Sequence, residues 1–189
     1  MNLQRGLLLV CTFALLLGCS KRGHEASEQS QTTSGGRVES APTRTLEEPK
    51  ISHILMRRSG CFGSCPVYEV NIDSNGTVSF NGTKHVAIPG RHRGSATQLE
   101  VDALILEIKR INFFKLRDSY EFEPDGCTSW ATDNPSVTIA VARGFETKRV
   151  VYYYGCKGFD AEDDIKSLVK SIDRVAQTEK WIGVHGSAL

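Results

Sequence analysis

The sequence predicts an α+β fold, with a mostly antiparallel sheet of about six strands and two amphipathic helices packed on one face of it. Short runs in which every second residue is apolar, the pattern of half-buried strands, occur on both sides of a helical stretch. Segments 101–111 and 165–175 instead have apolar residues at helical spacing. Strands that follow one another, with separate helices, favour this class over a repeated βαβ unit.

Turn residues set the predicted boundaries of the first strands. One strand is predicted over 51–58 and a second over 68–73, where apolar and polar residues alternate. Asn75 and Gly76 then supply the positive φ angles of a tight hairpin. The same two residue types recur at 81–82, so a further turn is predicted there.

A second hairpin is predicted around a two-residue turn at 144–145. The turn fixes which residues face each other across the two strands. The predicted partners are Arg143 with Glu146, Ile139 with Val150, and Val137 with Tyr152.

The helix boundaries have signals of their own. Thr97 and Glu100 match a capping box at the start of the first helix. Asp160 and Asp163 are acidic residues suited to the start of the second helix. At the end of the chain, residues 184–189 are predicted to fray.

The N-terminus has the layout of an export signal. Arg5 precedes an apolar run from Leu7 to Leu17, which is too short to span a membrane. The four residues that end at Cys19 resemble the lipobox of bacterial lipoproteins. The resemblance implies that residues 1–18 are a lipoprotein signal peptide and that Cys19 is acylated after cleavage. An ordinary cleaved signal peptide is the alternative.

Ser20, directly after the lipidated cysteine, implies an outer-membrane destination in a Gram-negative host. The protein would then face the periplasm, with the membrane as its partner through the N-terminal lipid. Residues 19–49 are rich in polar residues and cannot bury enough apolar surface to fold, so they are predicted to form a disordered tether. Residues 50–183 follow as a single globular domain.

The charge of the chain is balanced. It contains 23 Lys and Arg residues against 22 Asp and Glu residues, and removal of the signal peptide takes away only Arg5. Because nucleic-acid binding leaves a basic footprint, this composition argues against nucleic acid as a partner. The sequence also has no phosphate-binding glycine loop, so no cofactor is predicted.

Four cysteines lie in the predicted domain, and an even number suits a disulfide framework. Three connectivities are possible among four cysteines. The predicted hairpin places Cys156 just past the end of its ladder, where the loop that carries Cys127 must arrive. This favours the pairs Cys61–Cys65 and Cys127–Cys156.

Cys61 and Cys65 also have a second interpretation, as a metal or redox pair. Closely spaced thiolates suit soft ions such as Cu(I) and can exchange disulfides. The run around them looks a little like the copper-delivery proteins of the thioredoxin fold, but the distant His and the parallel αβ pattern of those proteins are missing. His53, the nearest histidine in sequence, is the third candidate for such a metal site, and a structural role is the alternative for it.

Two polar stretches are further candidate sites. Arg91, His92 and Arg93 lie between glycines just before the first helix, and a basic loop there would suit an anion. A solvated loop is the alternative. The carboxylates within 118–125 would suit a hard cation such as Ca²⁺, but they lack the spacing of a known calcium loop.

Several residues together resemble a bacterial domain family of unknown function, over about 51–182. No activity or ligand follows from that resemblance, which implies only that this region is one domain. The residues are Cys61, Phe62, Gly63, Cys65, Pro66 and Tyr68, the turn of Asn75 and Gly76, Phe113 to Tyr120, Thr132 to Ser136, and Trp181 with Ile182.

The leading functional hypothesis is an envelope lipoprotein that acts as a non-enzymatic module for binding a protein or a small ligand. It rests on the absence of the common hydrolase and phosphate-binding motifs, and no catalytic residue is identified. A copper-binding or thiol-redox role of Cys61 and Cys65 is one alternative. A hydrolase is the other, and it would need a pocket that gathers His92, Asp133 and a nucleophile.

Overall fold

A computed structural model describes residues 48–183 of the chain. The predicted signal peptide, the lipidation site Cys19, nearly all of the tether and the C-terminal tail fall outside the described residues. Those assignments therefore stay predictions. No described helix is long and apolar enough to cross a membrane.

The described residues fold into an α+β arrangement with a mostly antiparallel sheet, as predicted. Seven strands form this sheet, in the order β4-β3-β2-β1-β7-β8-β5, and a further short pair is separate. The contact of β5 with β8 is parallel and the other pairs in the sheet are antiparallel. The strands are β1 (Ile51–Arg58), β2 (Val67–Asp73), β3 (Thr77–Lys84), β4 (Gly90–Ser95), β5 (Ser119–Tyr120), β6 (Ser129–Trp130), β7 (Ser136–Arg143), β8 (Glu146–Tyr153) and β9 (Cys156–Lys157).

The sheet is larger than predicted because the two-residue β5 joins it beside β8. The second predicted turn does not form. Strand β3 runs straight through Asn81 and Gly82, which pair with Glu69 and Tyr68 of β2. Gly82 is required for packing instead, because a Cβ atom there would lie 2.8 Å from both the Phe80 ring and a neighbouring valine. The prediction of a turn at 81–82 is therefore wrong.

The predicted anion-binding loop is also a strand. Because β3 continues past Gly82, the returning chain can pair with it, and Arg91, His92 and Arg93 form the middle of β4. Gly90, with a φ of 92°, begins this strand. The three basic residues thus alternate between the two faces of the sheet.

The second hairpin has the predicted register. β7 and β8 pair so that Arg143 lies opposite Glu146, and the two further predicted pairs also face each other. The arginine also binds the glutamate, with 3.0 Å between Nε and Oε2. The residues of the turn therefore determine how β7 and β8 pair.

One face of the sheet is buried and the other is open. The strand residues that turn toward the buried face are Ile54, Met56, Tyr68, Val70, Ile72, Val78, Phe80, Val137, Ile139, Val141, Val150 and Tyr152. Residues between them point the opposite way and are partly or fully exposed, because side chains alternate along a strand. We call this second surface the open face.

The helices are α1 (Gln98–Arg110), α2 (Glu162–Ala176) and the short α3 (Glu179–Ile182). The predicted capping box at Thr97 and Glu100 is present at the start of α1. The apolar residues of α1 and α2 belong to the same core as the buried residues of the sheet. Helix α1 contacts α2, and α2 contacts β2.

Candidate functional site

Both disulfides lie at one end of the sheet. Strands β1 and β8 finish there, and β2 and β7 begin there. We call this region, made of residues 59–66, 121–135 and 154–158, the disulfide end. Cys61 is bonded to Cys65 and Cys127 to Cys156, with Cα–Cα distances of 5.6 and 5.2 Å. The predicted pairing is confirmed.

The two disulfide-bonded loops are joined to each other. The backbone N–H of Phe62 donates to the carbonyl of Asp133 at 3.3 Å. At the base of the loops, the N–H of Ser59 donates to the carbonyl of Ser136, and the N–H of Ser136 donates to the Ser59 hydroxyl at 2.7 Å. Asp133 has a positive φ of 68°, which costs energy in a residue other than glycine. The loops therefore hold one another in a defined arrangement.

The loop of residues 121–135 is also fixed to the end of β8. Strands β6 and β9 pair beside the Cys127–Cys156 bond. The Tyr153 hydroxyl donates to the carbonyl of Ala131 at 2.8 Å. A Cβ atom on Gly155 would lie only 2.0 Å from that same carbonyl oxygen, so the close approach requires glycine. Although this loop is long, it is tied at several points.

Aromatic side chains project from the loops of the disulfide end. Phe62 is 89% exposed at the tip of the Cys61–Cys65 loop, and Phe122 and Trp130 are 57% and 48% exposed. The Trp130 ring lies about 6 Å from both the Phe122 and Tyr153 rings, and its indole N–H donates to a backbone carbonyl at 2.9 Å. The Trp130 ring is thus held in place while it remains partly accessible to solvent.

A buried charged network lies beneath the disulfide end. Arg58, whose side chain is 8% exposed, donates from Nη2 to Asp173 Oδ2 at 2.8 Å. The other carboxylate oxygen accepts hydrogen bonds from the Tyr68 hydroxyl at 2.6 Å and the Thr178 hydroxyl at 2.9 Å. We call these four residues the Asp173 network. It joins the end of β1 and the start of β2 to helix α2.

Burial perturbs the titration of this network. Burial opposes the charge on Arg58, but its electrostatic interactions, led by those with Tyr68 and Asp173, raise its pKa above the usual value. Burial and the neighbouring carboxylate likewise raise the pKa of the Tyr68 hydroxyl. At neutral pH the arginine is therefore charged and the tyrosine is a hydrogen-bond donor. Such an arrangement holds the elements together.

His53 does not lie beside Cys61 and Cys65. It occupies the far end of β1 from Arg58, roughly 17 Å along the strand, and the cysteines lie beyond Arg58. Its ring nitrogens contact Asp73 Oδ1 at 2.8 Å and an asparagine oxygen at 3.0 Å on the open face. Within residues 48–183 no group of three or more His, Cys, Asp and Glu residues is arranged to hold a metal ion.

The residues of the hydrolase hypothesis are not brought together either. His92 lies on β4 and Asp133 precedes β7, four strand positions away, which corresponds to roughly 19 Å. His92 also faces the buried side of the sheet, opposite Phe80. The Asp133 carboxylate instead accepts a hydrogen bond from the neighbouring Thr132 hydroxyl.

The acidic stretch has a structural role. The Asp125 carboxylate accepts hydrogen bonds from the backbone N–H groups of Glu121 and Phe122 and from the Ser119 hydroxyl. The bond from Glu121 has the largest part in lowering the pKa of Asp125. Asp118 points elsewhere and pairs with Lys148. Asp125 stabilises a turn, and within 118–125 only the Glu121 carboxylate approaches it, since both contact the Ser119 hydroxyl.

Two features of this end were missed from the sequence. Arg58 follows Ile54 and Met56 in the alternation of β1, so its position on the buried face was visible, and a buried arginine needs an anionic partner. The partner, Asp173, adjoins the apolar stripe of α2 and looks like a solvated residue. His85, whose Nδ1 lies 3.2 Å from the Cys65 carbonyl, gives no sequence signal at all.

A cavity of about 530 Å³ opens at the opposite end of the sheet. The Arg143 guanidinium lies 3.6 Å from the centre of the Phe114 ring there, and Lys109 lies 3.9 Å from Glu48. Arg143 and Lys109 are paired with carboxylates of the lining, and Lys115 adds one further cation, so the lining has only a small excess of positive charge. The disulfide end is the better defined candidate site.

The geometry defines a class, a small α+β domain with both disulfides at one end of its sheet. A family model described as a domain of unknown function, DUF6438, matches residues 52–176, which is more than half of the chain. The chain belongs to this family. A search of curated proteins finds no match.

Proposed function

We propose that this chain is a lipid-anchored protein of the bacterial envelope and that its domain is a non-enzymatic binding module. The disulfide end would be the surface that contacts a protein partner. The observation that carries the proposal is Phe62, an aromatic side chain almost fully exposed at the tip of a disulfide-closed loop. Because its side chain is 89% exposed, Phe62 buries little apolar surface in the isolated domain.

The surroundings of Phe62 favour binding on energetic grounds. Aromatic side chains contribute a large share of the energy at protein interfaces. Association also costs conformational entropy, and a rigid surface lowers that cost. The disulfides and the hydrogen bond from the Phe62 backbone to Asp133 restrict the backbone of the two loops before a partner arrives. Trp130 and Phe122 are further partly exposed aromatic side chains of the disulfide end.

The envelope location rests on two features. The predicted lipid on Cys19 would anchor the chain, and a tether of some thirty residues has an r.m.s. reach of about 30 Å. Disulfides persist in oxidising compartments such as the periplasm and are rare in the cytosol. The pairing of the cysteines in the domain is in keeping with such a compartment.

Site-specific photo-crosslinking in living cells tests the binding surface. A photo-crosslinking amino acid replaces Phe62 in one variant and Phe145 in a matched control, within the full chain in its native host. Phe145 is also fully exposed but lies at the opposite end of the sheet, in the turn between β7 and β8. We expect a discrete crosslinked protein from position 62 and none from position 145. Equal yields at the two positions, or no product from position 62, would refute the proposed surface.

A second candidate is a copper-binding or thiol-redox role for Cys61 and Cys65. It is favoured by their partial exposure, since Cys127 and Cys156 are buried. Redox-active cysteines must be reachable by their partners. The two candidates differ in the state of these sulfurs in the cell, because the binding module needs the disulfide and the redox role needs free thiolates during its cycle.

A further inference from the structure

One long edge of the sheet is open. Strand β4 lies at the edge of the sheet and, among the described residues, pairs only with β3. Half of the backbone N–H and C=O groups of an edge strand point away from the sheet, where they can pair with another chain. Gly90, Arg91, Arg93 and Ser95 are all exposed along this strand.

We propose that the free edge of β4 binds an extended acidic segment of a partner protein, which adds to the sheet as an eighth strand. Acidic side chains at alternate positions of the segment would contact Arg91 and Arg93. The main chain of the segment would pair with β4. This surface is separate from the disulfide end and does not depend on it.

The charge of the edge selects an acidic segment. Arg91 and Arg93 lie opposite Asn81 and Ser79 and therefore share the open face. Neither arginine has an ion-pair partner among residues 48–183. By contrast Arg57, on the same face, is paired with Glu69, with 3.0 Å between Nε and Oε2.

The spacing of the two arginines matches an extended ligand. Residues two apart on a strand are separated by roughly 6.6 Å and point the same way. Acidic residues at alternate positions of an added strand have the same spacing, so each would face one arginine across the new ladder. The residue between them would lie beside His92, whose ring is stacked on Trp181 with 6.1 Å between centroids. An apolar side chain suits that position.

A second copy of this chain is a poor occupant of the same edge. Antiparallel pairing of two β4 strands centred on His92 would set Arg91 of each copy against Arg93 of the other. Like charges directly opposite each other destabilise a strand pair. The same arginines that attract an acidic strand therefore disfavour self-association through this edge.

Fluorescence anisotropy with a labelled peptide of alternating Glu and Val tests the proposal on the full chain in mild detergent. We expect saturable binding that the double variant Arg91→Glu, Arg93→Glu weakens at least about tenfold. Arg149→Glu is the control for reversal of a single charge, because Arg149 is also an exposed cation of a strand but belongs to β8. It should leave the affinity within about twofold.

A second peptide separates strand addition from simple charge attraction. It has the same sequence, with N-methyl groups on alternate residues that remove the N–H donors facing β4. Loss of binding by this peptide supports strand addition. Equal binding by the methylated peptide, equal weakening by Arg149→Glu, or no binding of the first peptide would overturn the proposal, and the arginines would then only protect the edge.

Discussion

Replacement of Asp173 by alanine is expected to lower the free energy of unfolding by about 3–5 kcal/mol. The substitution leaves Arg58 buried without its counter-ion, and an arginine cannot relieve this by losing its proton because guanidinium groups stay protonated in proteins. It also removes the acceptor for the Tyr68 and Thr178 hydroxyls. Urea denaturation of the domain measures the loss.

The adjacent arginine of β1 provides the control. Arg57 forms the same kind of pair with Glu69, but it lies on the open face with 56% of its side chain exposed. Glu69→Ala should therefore cost less than about 1 kcal/mol. The double variant Arg58→Met, Asp173→Leu removes both buried charges and should recover the part of the loss due to the unpaired arginine, but not the part due to the Tyr68 and Thr178 hydroxyls. If Asp173→Ala and Glu69→Ala cost the same, the Asp173 network does not have the role assigned to it.

Loss of the Cys127–Cys156 disulfide should cost about 3.5 kcal/mol, and loss of Cys61–Cys65 about 2 kcal/mol. The difference follows from chain entropy, because the bonds close loops with sequence separations of 29 and 4. The paired alanine variants, each lacking one bond, are compared by urea denaturation. Alanine is used because Cys127 and Cys156 are buried and a serine hydroxyl there would lack a partner.

The test is which of the two disulfide variants loses more free energy of unfolding. A larger loss from the short loop would mean that Cys61–Cys65 stabilises native contacts that the longer bond does not. The hydrogen bond between Phe62 and Asp133 would be the first contact to examine, since it joins the two loops. In that case the stability of the disulfide end would depend on its smaller loop.

The sequence was most informative where short-range chemistry decides the structure. The turn at 144–145 fixed the register of β7 and β8, and that register placed Cys156 correctly for its bond to Cys127. The capping box at Thr97 located the start of α1. In each case the determining contacts lie within a few residues of one another or follow directly from a strand ladder.

The errors arose where the deciding contact is distant in sequence. Glycine is a common turn residue, but Gly82 is needed for another reason. Any side chain there would collide with the Phe80 ring and with Val86. The predicted basic loop is a strand because β3 continues to Gly82 and beyond. It therefore offers pairing positions to Arg91, His92 and Arg93. Asp173 could not be assigned to Arg58 because 115 residues separate them.

The proposed binding surface depends most on the cysteines of the domain being paired in the cell. Intact mass spectrometry of the full chain purified from membranes, with and without alkylation, tests this directly. We predict a chain that lacks residues 1–18, carries lipid on Cys19, and takes up no alkylating agent until it is reduced. Free thiols or bound copper at Cys61 and Cys65 would contradict the structural role of this disulfide and favour the redox or metal hypothesis.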